Sequence, residues 1–443
     1  MNFVTSNRVE TFSGKLTVPG DKSISHRAMI VGASAVGEST INGLLEGQDV
    51  MATANALRFL GADVAKNNDG SWSVYGRGVG GFLESPAVLD MGNSGTGTRL
   101  LMGLVAAHPF STIFSGDASL SARPMGRVMG PLQRMGAGSN ARDGETLPLT
   151  VHGSDILRPV TEELAVASAQ VKSAILLAGL NTRGQTTVIE PLPTRNHTEN
   201  LLAAFGAEIK IEANEQGNVI TLTGQPELLA QQVSIPGDIS SAAFPLVAGL
   251  ITPGARIVIE NVGLNPLRRG LLDTLAEMGA HIEIENNHTD EVEPVGDLSV
   301  AFGTLQGVRV PAKRAPSMID EYPILAVAAA CAEGQTIFEG VSELRQKESD
   351  RLCAISEGLA ACGVEVRETE DSIVIIGQGK APRGGGCISS KLDHRIAMAF
   401  LVLGMATINP IVMDDIAPID TSFPGFLETM NGLGCDFRKE VSS

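Results

Sequence analysis

One unit of about 74 residues recurs six times along the chain, so the fold has to be assembled from six similar pieces. Runs such as "RAMIVGASAVGESTI", "KSAILLAGLNTRGQTTVI" and "YPILAVAAACAEGQTIF" share one grammar: a small-residue, apolar helix, a break and a β-branched strand. The breaks fall at Gly37, Pro109, Gly184, Gly254, Gly334 and Asn409. A second series keeps step with it. Amphipathic helices such as "ALRFLGADV" and "LLAAFGAEIKI" stop at Gly61, Gly136, Gly206, Gly279, Gly363 and Gly434, where a left-handed cap suits glycine.

The unit therefore reads as strand, buried helix, strand, amphipathic helix, strand, strand, or βαβαββ. A helix apolar on nearly every face has to be surrounded. Three units per half give two helix-cored α/β domains ringed by small sheets, as expected when 443 residues exceed one ordinary core. The expected domains are 19–232, with repeats one to three, and 233–443 plus 1–18, with repeats four to six. The sixth copy ends at "CDFRKE" without its last strand, and "RVETFSGKLTV" (8–18) is spare strand-like sequence, so the N-terminus is expected to complete the sixth unit.

Composition narrows the partners. A net charge of −17 argues against nucleic acid and anionic membrane, while leaving room for an anionic substrate held in a local nest of cations. The five cysteines form no CxxC pair, which fits a reduced, cytoplasmic protein. With motifs that begin at Pro19, no targeting segment is expected, and the apolar stretch 396–413 is broken by Thr407, Asn409 and Pro410, so it reads as a buried helix and a strand. "GRGVGG" (76–81) is followed by "FLESPAVLD" rather than a helix and reads as a loop. There is no P-loop, HExxH or Cys/His cluster, and neither a metal nor a cofactor is expected. His108, His152, His197, His281 and His288 read as surface or turn residues.

Chemistry-bearing residues gather at the starts of the buried helices. These are "GDKSISHR", "GNSGTGTR", "ASAQVKS", "PGDISSA", "IDEYP" and "LDHRIAM". Helix N-termini favour phosphate and carboxylate, and repetition should aim the starts of one domain the same way. Six starts would border one cleft if the domains face each other. The phrase Pro-Gly-Asp occurs at 19–21 and again at 236–238, yet only the first copy carries cations. Lys22, Arg27, Lys172 and Arg395 lie at these starts, and Arg123, Arg195, Lys347 and Arg351 lie in intervening segments. Asp238 and Ser240 read as plain helix caps. Two cations at the wrong end of a helix, Lys22 and Arg27, call for an anion.

Seven motifs, "GDKSISHRA", "GNSGTGTR", "RPMGRV", "SAQVKSA", "DEYPILA", "KESDRL" and "DHRIAMA", occur in this order. The sequence from about residue 8 to 435 resembles the 5-enolpyruvylshikimate-3-phosphate synthase family. The resemblance implies a two-domain inside-out α/β barrel with an interdomain active site, and a monomeric enzyme acting on phosphoenolpyruvate and shikimate 3-phosphate in the shikimate pathway. By motif, Lys22, Ser23, Arg27, Ser168, Gln170, Arg195, Asp320 and Lys347 would hold shikimate 3-phosphate. Lys22, Gly95, Arg123, Gln170, Arg351 and Arg395 would hold phosphoenolpyruvate. Asp320, Glu348 and Lys22 would be catalytic.

The sequence departs from parts of the family at Thr421, where many members have lysine, and at Leu100 and Ala169; these changes resemble a divergent bacterial group. The UDP-N-acetylglucosamine enolpyruvyl transferases share fold and reaction type, but typically have asparagine after the first lysine and a cysteine in the N-terminal half. Here Ser23 follows Lys22 and the first cysteine is Cys331. A non-catalytic metabolite-binding protein would be expected to lack a site carboxylate, and both Asp320 and Glu348 are present.

Overall fold

The computed structural model describes residues 3–215, 217–290 and 292–439. Each repeat becomes one four-stranded sheet, and the strand order is the same in all six. In the sheet of the third repeat, Thr161–Glu163 pairs parallel with Gln185–Glu190, which pairs antiparallel with Gly217–Thr223, which pairs antiparallel with Ile209–Asn214. All six glycines that stop the amphipathic helices have positive φ, from 78° at Gly363 to 115° at Gly136. That left-handed turn sends the chain from each helix into the following edge strand.

Two compact units divide the chain, each with three sheets. The N-terminal unit comprises Gly20–Ile235 with Asp290–Glu293, and the C-terminal unit comprises the segment ending at Pro19, Pro236–Thr289 and the chain from Pro294 onward. The N-terminal unit is cored by helices Lys22–Ala33, Gly95–Ala106 and Ala169–Leu180. The C-terminal unit is cored by Ile239–Ile251, Tyr322–Cys331 and His394–Gly404. Ile239–Ile251 is buried at every residue, as its all-round apolar sequence requires. No helix among the described residues is long and apolar enough to cross a membrane. Gly76–Gly81 is loop, with no helix after it.

Two expectations are corrected. The second boundary falls at Ile235/Pro236 rather than 232/233, because Gln232–Ser234 pairs parallel with Thr40–Asn42 of the first repeat. Asp290–Glu293 also belongs to the N-terminal unit, where Glu293 is buried. The N-terminus does complete the sixth sheet, but through Val4–Asn7, lying between Ile411–Met413 and Asp436–Lys439, rather than through the 8–18 stretch. Val9 and Phe12 turn into the core, and Ser13–Thr17 then pairs with Arg256–Glu260 in the fourth repeat's sheet.

The sixth sheet depends on close approach. Ser6 Oγ donates to the Leu401 carbonyl of the buried helix. A Cβ at Gly404 would lie 2.4 Å from that hydroxyl oxygen. Gly404→Ala is expected to cost about 1–3 kcal/mol through overpacking. Thermal or urea denaturation would read it, and wild-type stability would contradict the fit described here.

Candidate active site

In the N-terminal unit three helix starts are stitched together by polar side chains. Asp21 caps the first helix by accepting from Ile24 N (2.9 Å), Ser94 caps the second through Gly97 N (3.2 Å), and Ser168 caps the third through Val171 N (3.4 Å). Arg27 spans from the first helix to two others. It donates to Thr198 Oγ1 (2.7 Å), Ser173 Oγ (2.9 Å) and the Ser23 carbonyl (2.9 Å). Arg195 reaches Ser23 Oγ at 3.3 Å. At the other end of the third helix start, Gln170 accepts from Arg99 Nη1 (2.8 Å) and donates to Thr96 (2.9 Å).

Arg123 donates to Asn93 Oδ1 (2.6 Å) and Ser119 Oγ (3.0 Å). A Cβ built on Gly95 would lie 3.1 Å from Arg123 Nη1 and 3.2 Å from Arg99 Nη1, so both guanidinium groups converge on this glycine. Lys22 Nζ sits 2.8 Å from Asp49 Oδ2, both nearly buried. His26 is buried, and its pKa lies well below 6.5 because of burial and the nearby charges of Lys22 and Arg27, partly offset by Asp21. Such an array of helix starts and cations suits anionic ligands.

Lys172 does not join this array. It is completely buried, pairing with Glu190 Oε2 (3.0 Å) and Glu199 Oε1 (2.6 Å). Burial raises the Glu190 pKa, and Lys172 offsets part of that rise. Its place four residues after the cap, on the core-facing side, turns it away from the helix start. His108 is buried in the bend that follows helix Gly95–Ala106, a turn residue but not a surface one, and His197 is buried at the start of a helix, neither surface nor turn.

The C-terminal unit holds the carboxylates. Arg351 is fully buried, and one guanidinium serves three of them. Its Nε lies 2.8 Å from Asp393 Oδ2, its Nη1 3.3 Å from Asp320 Oδ1 and its Nη2 2.5 Å from Glu348 Oε2. Burial works against its charge, but attraction to Asp393, Glu348 and Asp320 prevails and raises its pKa. Arg395 adds a second cation, with Nε 4.0 Å from Asp320 Oδ1 and Nη1 3.3 Å from the Asp320 carbonyl. Lys347 is half-buried beside Glu348.

The motif "DHRIAMA" does not by itself show that Asp393 holds Arg351 as well as capping its own helix through Arg395 N (2.9 Å). Asp238 and Ser240 are more than caps. Arg268, 28 residues downstream of Ser240, donates to Ser240 Oγ (2.6 Å), lies 3.6 Å from Asp238, and shares Ser240 with Glu321. The second Pro-Gly-Asp phrase thus receives its cation from elsewhere in the chain.

The sequence matches the family model described as EPSP synthase (3-phosphoshikimate 1-carboxyvinyltransferase) over residues 7–430. It is 58% identical over 432 residues to the 3-phosphoshikimate 1-carboxyvinyltransferase of Paramagnetospirillum magneticum, covering 97% of each chain. The chain belongs to the EPSP synthase family. The enzyme of the same name from Parvibaculum lavamentivorans is 57% identical, over 96% of this chain and 94% of that one. Among solved structures, EPSP synthase from Acinetobacter baumannii superposes over 100% of both chains with a TM-score of 0.87 and 42% identity. The enolpyruvyl transferase NikO from Streptomyces tendae shares the fold, with a TM-score of 0.79 at 16% identity.

Proposed function

We propose that the chain transfers the enolpyruvyl group of phosphoenolpyruvate to the 5-hydroxyl of shikimate 3-phosphate and releases inorganic phosphate. The observation that carries this is Arg351, one buried cation aligning two carboxylates, Asp320 and Glu348, for proton traffic. Addition–elimination needs such a pair. As the hydroxyl attacks C2 of phosphoenolpyruvate it gives up a proton while C3 gains one, and C3 loses one again as phosphate leaves. Asp320 takes the hydroxyl proton, and Glu348 exchanges the proton at C3, each within its general acid–base role. Lys22 meets both substrates and offsets charge that develops as they join.

The substrates bring two phosphates and two carboxylates, so the cations are substrate ligands. Ser23, Arg27, Ser168, Gln170, Arg195 and Lys347 bind shikimate 3-phosphate. Arg123, Arg351 and Arg395 orient phosphoenolpyruvate, with the Gly95 backbone and Gln170 beside it. The enzyme is an inside-out α/β barrel that acts as a cytoplasmic monomer. Five free cysteines accord with a reducing compartment.

The test is phosphate release from phosphoenolpyruvate, run with shikimate 3-phosphate and separately with UDP-N-acetylglucosamine. Release with the first acceptor alone is expected, and release with the second alone would refute the acceptor. Gly95→Ala probes the arginine convergence, because the added methyl meets both guanidinium groups. Its expected effect is a rise of roughly 10-fold in the KM for phosphoenolpyruvate, equal to about 1.4 kcal/mol. The KM for shikimate 3-phosphate should hold. Steady-state kinetics with each substrate varied would show it, and equal rises in both constants would count against the assignment.

A further inference from the structure

The loop that carries Arg195 is pinned on both flanks by buried ionic groups. On one side, Lys172 Nζ donates to the Thr194 carbonyl at 3.4 Å, and Thr194 Oγ1 donates to Glu190. On the other side, the Glu293 carboxylate lies 2.7 Å from His197 Nδ1 and accepts from Asn200 Nδ2 at 3.2 Å. Lys172, Glu190 and Glu293 are at most 3% exposed at their side chains.

Glu293 arrives from far away in sequence. It begins the second strand of the hairpin Ile282–Asp290 and Glu293–Ala301, while the rest of that strand belongs to the C-terminal unit. The neighbouring Val292 packs against the N-terminal unit's apolar core. Helix His197–Ala204 has no side-chain cap bond from Asn196, and its first turn is where a carboxylate is favoured by the helix dipole. A buried hydrogen bond to a carboxylate adds modest net stability, because desolvation offsets much of its attraction. What this one supplies is position: it fixes His197 and Asn200, and with them the start of the helix that follows Arg195.

We propose that Glu293 is a positioning residue that, through His197 and Asn200, aims Arg195 at the phosphate of the shikimate substrate. This rests on the substrate role assigned above to Arg195. Glu293→Gln keeps the size and one acceptor while removing the charge. It is expected to raise the KM for shikimate 3-phosphate about 10-fold, with kcat and the KM for phosphoenolpyruvate within about twofold of wild type. Asn200→Ala, a milder change at the same carboxylate, should shift the same constant in the same direction.

Arg195→Ala supplies the control. In that background Glu293→Gln should add less than about a twofold further change, because the two act through one contact. A lowered melting temperature with unchanged KM would make Glu293 a packing residue and overturn the proposal, as would a full additive effect in the Arg195→Ala background. If Arg195→Ala itself leaves that KM unchanged, the assignment of Arg195 fails first and the proposal falls with it. If Glu293→Gln does not fold, an unchanged KM in Asn200→Ala decides against it.

Discussion

Arg351→Met should lower turnover by about 10²–10³-fold, the usual loss when a fixed cation at a developing charge is removed. The same variant should lose about 3–5 kcal/mol of stability, since taking one partner from a buried ion pair leaves the other uncompensated. Asp393 is that other partner. Its side chain is fully buried and depends on Arg351 Nε at 2.8 Å, with Ser349 Oγ and Arg395 N as its neutral donors. Adding Asp393→Asn to Arg351→Met removes the stranded charge and should restore much of the melting temperature. It should restore none of the turnover, because Asp320 and Glu348 still lack the group that aligns them. Recovery of both together would mean that Arg351 matters only for folding.

Asp320→Asn is the second large effect. Asn is nearly isosteric and keeps an oxygen for Arg351 Nη1, so both substrates should bind within about threefold of wild type, while loss of the general base costs about 10²–10⁴ in kcat. Pre-steady-state phosphate release and equilibrium binding, measured on one preparation, separate the two. Unchanged turnover would take the base role away from Asp320 and leave Glu348 as the remaining carboxylate to examine.

The architecture was legible because it is periodic and local. Each stopping glycine does its work through its own φ, so Gly61 or Gly279 can be read without knowing what lies across the fold. The motif residues could be singled out for a similar reason: Lys22, Arg123, Asp320 and Arg351 sit in contiguous phrases. Their partners were not. Nothing near Asp49 in sequence points to Lys22, 27 residues away, and nothing near Arg268 announces Ser240 and Glu321. The cations at the helix starts looked equivalent on paper, yet Lys172 lies on the core side of its helix between two glutamates, whereas Lys22 stays at the start of its own. Facing is set by packing across many residues, which a linear pattern of apolar and charged positions records only weakly. His197 was misread on the same account, since the carboxylate that holds it is 96 residues away.

The place of Val4–Asn7 in the last sheet bears on how the polypeptide matures on the ribosome. Domains tend to fold as their residues emerge, the earlier ones first. Here the earliest strand must wait for the latest, because its neighbours are Ile411–Met413 and Asp436–Lys439. Gln232–Ser234, by contrast, returns to pair with Thr40–Asn42 once about half the chain has been made. The nascent protein therefore carries this strand unpaired until Ile411–Met413 and Asp436–Lys439 have been made, and the sixth sheet closes only then.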